Sequence, residues 1–561
     1  MRIKRLIIGL LVAALGFGFQ SANALQASDA RPMIPITDPT AENWFAMRSF
    51  IEMSKNTFVV LYKENDYYAK VSTDGGETWG ETTDLGSFGF WTNGVNLIKI
   101  DATHLLLTYR DNGGGFLSRI GTLTGNTVSF SDPTSIYTPA NNLTLFLSTY
   151  ATVADGNNLY AYFPLVNYQN FTGQTELVEY KSTDLGATWT PNSTILTYSE
   201  NRIVNGIQAV LLDDGRRVVH STMSDLNNDL YTILKVSNGS NWDLISNDAE
   251  LQWGNMAVVN DGKGLALMST GGGGHSLNTR IWQDIDNQPI ISNNQSEAWA
   301  GGQMMVTDGG STVAIQYVDK MNQPNSYGGR SAEILITKDF GATWSSHVFE
   351  TIPDDAPAAD YRLYGSFLVM GEDGGFLYGY GTNAADQEGF TIKISTSLDG
   401  GTTWTDPTVL IDGYEYDTWG WTGPWYSGES PILVGTVARD ITNNYYMGIN
   451  AIKFNMPVLL PDKLIFRSKF EYGRLKLTTT EKAELREWAE QIADGTSVVV
   501  TAPDFIKPDV KRKAKRSLSR ANFIAKILRN SGLEVSVVKG KMVKAISPAK
   551  GRTVKIEIPV K

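Results

Sequence analysis

A short pattern, (S/T)xDxGxTW, occurs four times in this chain: Ser72 to Trp79, Ser182 to Trp189, Thr337 to Trp344 and Ser397 to Trp404. Each position has a structural reason. The Asp accepts hydrogen bonds from the backbone N–H groups of a turn, the Gly takes a backbone conformation closed to other residues, and the Trp packs on a neighbouring sheet. Each copy follows an alternating segment, such as Tyr67 to Ser72 or Ile334 to Thr337, which puts it on a hairpin turn. Ser237-Asn238-Gly239-Ser240-Asn241-Trp242 reads as a decayed fifth copy.

Between copies the same order of segments returns: a strand, often an Asp-Gly or Asn-Gly turn, a second strand, a third, then the pattern. Ala209 to Leu212, Asp214-Gly215 and Val218 to Thr222 are one example. Candidate first strands begin near Arg48, Val95, Tyr150, Ile207, Met256, Gln303, Ser366 and Ile432. The pitch of about 45–65 residues is that of a four-stranded propeller blade with its loops. Seven full units and a partial eighth predict a β-propeller of seven or eight blades whose two chain ends share the closing blade. Helical periodicity is almost absent here, which excludes a helical solenoid.

These turns are similar to the Asp boxes of the sialidase (neuraminidase) superfamily of β-propellers, over roughly residues 43–455. The resemblance implies a site in which arginines clamp a substrate carboxylate, a Glu activates a Tyr nucleophile and an Asp serves as acid/base. Guanidinium forks suit a fixed carboxylate, and a Tyr beside a carboxylate can attack an anionic sugar. Carried onto this chain, the resemblance implies Arg48, in Met47-Arg48-Ser49-Phe50, as the first clamp and Arg330 as the last. Tyr364 is then the nucleophile, Glu250 its activator with Glu297 as rival, and Asp66 the acid. The family's Ile-Pro after the first Arg is missing. Ser269-Thr270 stands where another clamp Arg belongs, with Arg280 a substitute that would have to fold back.

Propellers with this turn also bind without catalysis. Tyr414 to Tyr426 is an aromatic, Gly-rich loop in which Trp419, Trp421, Trp425 and Tyr426 offer flat rings beside carboxylates, a common means of holding a sugar. Packing of these rings at the closure between first and last blades is the competing reading. Composition narrows the chemistry. The 561 residues contain no Cys, which removes disulfides, thiolate metal centres and thiol nucleophiles, and the four His form no metal-binding motif, so neither cofactor nor metal is expected. Gly271 to Gly274 lacks the GK(S/T) of a phosphate cradle.

The chain starts with an expected signal peptide, residues 1–24: Arg2, Lys4 and Arg5, an apolar run from Leu6 to Phe17, and Ala22-Asn23-Ala24 as the cleavage site. The run is too short to span a membrane, and no later segment does so, so no transmembrane segment is expected in the mature chain. Localisation is then the periplasm, cell wall or extracellular space. Residues 25–455 form the propeller, 456–462 a linker and 463–561 a second domain. From Met456 on there are 23 Lys and Arg against 11 Asp and Glu, a net of +12, leaving −23 for residues 1–455. An exported basic domain meets anionic envelope polymers rather than nucleic acid.

The basic part reads β-α-β-α-β-β. A capping box, Thr478 to Glu481, opens a helix with Leu485, Trp488, Ala489 and Ile492 on one face, and strand Ser497 to Thr501 follows. A second helix from about Val510 to Asn530 turns Leu518, Phe523, Ile527 and Leu528 inward. Strands Leu533 to Val538 and Thr553 to Val560 come last. Ser517, Arg520 and Ala521, with Gly551-Arg552-Thr553-Val554, give this part a resemblance to the OmpA-like domain. That resemblance implies Asp504, after the central strand, and Arg520 as holders of the diaminopimelate of peptidoglycan. The reading is an exported glycan-binding propeller held at the bacterial envelope, with a sialidase-like hydrolase or a protein-binding scaffold as alternatives.

Overall fold

The computed structural model describes residues 34–454 except 38–45, 89–94, 112–113, 140–142, 145–149, 168–174, 199–202, 225–229, 249–250, 252–253, 271–276, 296–297, 322–328, 353–360, 372–373, 385–390, 412–416, 423–430 and 442–443. Beyond these it describes 465–469, 485, 497–505, 521–529, 534–543 and 553–557. The chain divides into two compact units, Met1–Met456 and Pro457–Lys561.

The first unit is an eight-bladed β-propeller. Blade 4 shows the plan: Ile203–Leu211, Arg217–Ser224, Leu230–Asn238 and Asn241–Ser246 pair in sequence order, all antiparallel, from the innermost strand outward. The other inner strands are Ala46–Ser54, Val95–Lys99, Ala151–Asp155, Asn255–Val259, Ala298–Thr307, Tyr361–Met370 and Asp417–Thr422. Seven of the eight agree with the expected first strands. The eighth does not, because Ile432–Ile441 is the second strand of blade 8 and Asp417–Thr422 is the first. Blades 6 and 7 are also joined by one backbone pair, Gly329 with Leu363.

The ring closes as the two-ended partial unit predicts. Asp417–Thr422, Ile432–Ile441 and Asn444–Lys453 supply three strands of blade 8, and Ile34–Pro35 adds the outermost, pairing Ile34 with Ala451 and Pro35 with Asn450. Proline is tolerated there because an edge strand has one side unpaired. Thr37 Oγ1 accepts from Ile449 N at 3.0 Å, and Ile36 N donates to Ile449 O at 2.8 Å. Lys453 of blade 8 forms an ion pair with Glu77 of blade 1 at 3.0 Å.

The core lies between blades rather than around the axis. Alternation along each strand gives both faces of each sheet an apolar set, and neighbouring blades bury them face to face. Val60, Phe58, Ile449 and Val434 fill the gap between blades 8 and 1, and Phe116, Ile136, Phe163 and Ala161 that between 2 and 3.

The recurrent turns join third and outer strands. In the first, Asp74 accepts from Thr78 N at 3.0 Å, Thr78 Oγ1 at 2.5 Å and Ser72 Oγ at 2.8 Å, and Gly76 has φ of +84°. The turns at Asp184, Asp339 and Asp399 repeat this geometry. The Trp ties its blade to the preceding one: Trp189 Nε1 donates to Ser118 Oγ at 2.9 Å, and Trp344 Nε1 to Ser292 Oγ at 3.3 Å. Ser237 to Trp242 keeps only this last element. Gly239 and Ser240 make a tight hairpin, while Trp242 Nε1 still donates to Ser193 Oγ at 2.9 Å.

In the second unit, Ile465–Lys469, Ser497–Phe505, Glu534–Val543 and Thr553–Glu557 form one sheet, with Ser497–Phe505 parallel to Glu534–Val543 and Thr553–Glu557 antiparallel to its neighbours. Leu485 is helical, as are residues 521–529. The latter helix buries Ala521, Ile524, Ala525 and Leu528 and leaves Phe523 and Ile527 half-buried, so its inward face is turned slightly from the expected one. Asp504 lies inside a strand, opposite Met542, and not after it as expected.

Candidate functional site

Strand direction decides which residues can meet. Four antiparallel strands return the chain to the rim where the blade began, and connections such as those from Gly86 to Val95 and from Tyr198 to Ile203 are too short to cross the sheet. All eight inner strands therefore start at one rim. The turns between second and third strands share it, and the recurrent Asp turns lie at the opposite rim.

Arg48 and Asp66 both belong to the starting rim of blade 1. Arg48 is the extra residue of a β-bulge between the pairs Met47 with Tyr62 and Ser49 with Leu61. Asp66 is half-buried in the turn between Lys63 and Tyr67, where Glu64 N donates to the Asp66 carbonyl at 3.0 Å. Arg330 opens the third strand of blade 6, and Tyr364 lies in the inner strand of blade 7, opposite Gly381. The Gly329–Leu363 pair sets those two strands side by side. Trp419 and Trp421 flank a bulge at Gly420 in blade 8.

Blades 6, 7, 8 and 1 are consecutive, so Arg330, Tyr364, Arg48 and Asp66 occupy one arc of the starting rim, while Trp419 and Trp421, opposite Thr436 and Gly435, lie deeper along the inner strand of blade 8, toward the rim of the Asp turns. For Arg48, Arg330, Tyr364, Trp419 and Trp421 the assignment is of the backbone position, their side chains being outside the described residues. Glu250, its rival Glu297, Trp425, Tyr426 and Arg520 lie wholly outside them. The aromatic segment is not a loop throughout, since Asp417–Thr422 is itself the inner strand of blade 8. Alternation and hydrophobicity fail to signal this because Gly420 interrupts the period between two Trp.

The arc has a backbone signature. The pairing of inner with second strand shifts register in blades 1, 6, 7 and 8, and also in blade 4, whereas blades 2, 3 and 5 pair without a shift. A bulge re-aims the residues beside it and recurs next to binding and active sites. The shift in blade 6 falls between Trp299 and Met304, which brings Trp299 to the same rim. Trp299 was not among the expected residues, although an aromatic just before Gly301-Gly302 is the same signal as Trp419-Gly420-Trp421.

Arg280 does not fold back into a clamp. Its guanidinium, 5% exposed as a side chain, donates to Asp248 at 2.8 Å and to the Thr279 carbonyl at 3.0 Å. Among the described residues, no group of three or more His, Asp or Glu is arranged to hold a metal ion, and no helix is long and apolar enough to cross a membrane.

No protein-family model matches the chain, and no curated protein matches it significantly in sequence. Solved structures do resemble it. Penicillium chrysogenum α-L-arabinanase complexed with arabinobiose is 11% identical, the match covering 56% of this chain and 99% of that one at a TM-score of 0.32. For Trypanosoma rangeli sialidase with the inhibitor DANA the values are 10%, 68%, 57% and 0.34. The WD40 domain of SCAP from fission yeast is 9% identical over 77% of this chain and 100% of its own, at 0.40. Likenesses this distant assign neither an activity nor a ligand to this chain.

Proposed function

We propose that the chain is an exported glycan-binding β-propeller held at the bacterial cell envelope or wall by its basic C-terminal domain. The observation that carries the reading is the arc of blades 6, 7, 8 and 1, where bulged inner strands bring Arg330, Tyr364, Arg48 and Asp66 to one rim, with Trp419 and Trp421 deeper along the inner strand of blade 8. Indole faces stack on the C–H face of a sugar, and Arg and Asp take its hydroxyl or carboxylate groups. Trp425 and Tyr426, which follow in sequence, extend the aromatic set. In the C-terminal domain, Asp504 and Arg520 take the ammonium and carboxylate of the diaminopimelate of peptidoglycan, aided by the net charge of +12.

A sialidase-like hydrolase with Tyr364 as nucleophile is the second reading, favoured by the neighbouring strands that carry Arg330 and Tyr364. Binding ranks above it because the engaged Arg280 leaves a clamp unfilled. A fluorogenic sialoside assay beside oligosaccharide-binding calorimetry separates the two on the full mature chain. Binding without turnover is expected. Turnover abolished by Tyr364→Phe would establish the hydrolase, and protein capture insensitive to added sugar would establish a scaffold. For the envelope, co-sedimentation with purified walls should fall with rising salt and more steeply with Arg520→Ala. A wild-type chain that never sediments would remove the anchoring.

A further inference from the structure

One inter-blade ion pair stands at the arc. Glu350, one residue from the end of the outer strand Ser345–Thr351 of blade 6, reaches across the gap to blade 7. There Lys393 Nζ donates to its Oε2 at 2.7 Å, and the Tyr380 hydroxyl donates to the same oxygen at 2.8 Å. Register ties the three residues to the inner strand of blade 7. Tyr380 pairs on one side with Gly365, the neighbour of Tyr364, and on the other with Lys393. Glu350 pairs with Ala332, two residues on from Arg330. At about 4.8 Å per strand, Lys393 lies about 10 Å outward from the strand of Tyr364.

Hydrogen-bonding capacity separates this cluster from the other inter-blade pairs. Glu179 is fully buried and both of its oxygens are taken, by Arg217, Asn192 and Ser193. Arg216 is held between two carboxylates, Asp214 of its own blade and Asp286 of blade 5, at 2.6 Å each. Lys235 sits beside the register shift of its outer strand in blade 4, as Lys393 does in blade 7, and is a plain brace: its Nζ donates to the Ile195 carbonyl of blade 3 at 2.7 Å. A carbonyl is enough for a brace. Blade 7 meets a carboxylate instead, with both donors on Oε2, which leaves Oε1 without a partner among the described residues and uses one of the three Lys393 donors. The Lys393 and Glu350 side chains are 27% and 30% exposed, so the spare groups meet solvent. Burial and the Glu350 carboxylate push the Tyr380 hydroxyl up, so it stays protonated and holds the carboxylate in place.

We propose that Glu350, Lys393 and Tyr380 form an outer subsite of the arc that binds an uncharged sugar unit, with Glu350 Oε1 accepting from one hydroxyl and Lys393 donating to its neighbour. The inference rests on the glycan reading of the arc. It adds that the ligand is an oligosaccharide whose chain runs outward from the inner strand along the gap between blades 6 and 7. A hydroxyl both donates and accepts, so an adjacent pair of them matches a free acceptor beside a free donor. A charged unit fits less well, because a carboxylate would face Glu350 and an ammonium would face Lys393. Each hydrogen bond to the ligand is charge-assisted, and the carboxylate already fixed by Tyr380 and Lys393 keeps the ordering cost of binding low.

The test is calorimetric titration of the full mature chain with 3′-sialyllactose, chitotriose and maltotriose, each beside its terminal monosaccharide. The wild type should bind at least one trisaccharide at least tenfold more tightly than the matching monosaccharide, and Glu350→Gln should bring that ratio close to one. Tyr380→Phe, which deletes one oxygen and no packing, should lower the ratio several-fold. Lys235→Met, which removes the brace of blade 4, should not change it, and thermal unfolding reports whether each variant is folded. A ratio that survives both Glu350→Gln and Tyr380→Phe, or wild-type affinity that does not grow with chain length, would overturn the subsite and leave the glycan reading of the arc standing. A wild type that binds none of these sugars at millimolar concentration would remove both.

Discussion

Two buried groups show how single residues set the pH and mutational response of the propeller. His220 is 2% exposed, its Nε2–H donates to the Leu251 carbonyl at 3.0 Å, and burial pushes its pKa down to about 4. The unfolded chain takes up this proton below about pH 6.5 and the folded chain only below about pH 4. Stability is therefore lost as pH falls through that window, by about 3 kcal/mol at most. His220→Gln should remove this loss, read as the difference between the two proteins' urea-unfolding free energies at neutral and mildly acid pH. Asp184, held down to about 2 by the Thr188 hydroxyl and N–H, titrates below the window and does not confuse it. Glu179 is fully buried and accepts from Arg217 Nε at 2.9 Å and from Asn192 and Ser193. The Arg217 guanidinium also lies 4.3 Å from the centre of the Tyr160 ring. Glu179→Ala strands a buried cation between blades 3 and 4 and should cost about 3–5 kcal/mol. Asp214→Ala, in a half-exposed pair, should cost less than about 1 kcal/mol.

The recurrent turn is where an element is most fully determined by local sequence. Gly401 has φ of +85°, and a Cβ there would sit 2.1 Å from Ile336 Cδ1 of the preceding blade. Gly401→Ala combines left-handed strain with overpacking and should cost about 3 kcal/mol, whereas Gly125→Ala, with φ of +60° and open space, should cost about 1 kcal/mol. Equilibrium unfolding of both variants checks the contrast. Four turns were legible because Ser or Thr, Asp, Gly, Thr and Trp all act within a few residues of one another. The turn of blade 5 was not, because Trp282, Asp286 and Pro289 replace three of those residues while Asp284 alone preserves the bend. The inner strand of blade 8 was missed for a related reason: the bulge at Gly420 breaks the two-residue period on which strand reading depends.

At the scale of the molecule, closure depends on four residues far from the rest in sequence. Thr37, 6% exposed, provides the acceptor for Ile449 N, and Thr37→Val leaves that buried N–H unsatisfied. A loss of about 1–3 kcal/mol is expected, with Thr37→Ser restoring most of it in thermal unfolding of the mature chain. Closure itself could be anticipated, since a partial last unit needs a strand from the other chain end. The candidate site was legible only as separate residues. Nothing local links Arg48 and Asp66 to Arg330, Tyr364 and Trp419, which meet on one arc only because the ring sets blade 8 beside blade 1. Arg280 failed as a clamp because its partner Asp248 is distant in sequence and adjacent in space. The most direct test of the central claim is a crystal structure of the mature chain with a bound oligosaccharide. The account predicts sugar entering from the starting rim of blades 6, 7, 8 and 1, within reach of Arg48 or Arg330 and stacked on Trp419. Sugar bound at the rim of the Asp turns would contradict it.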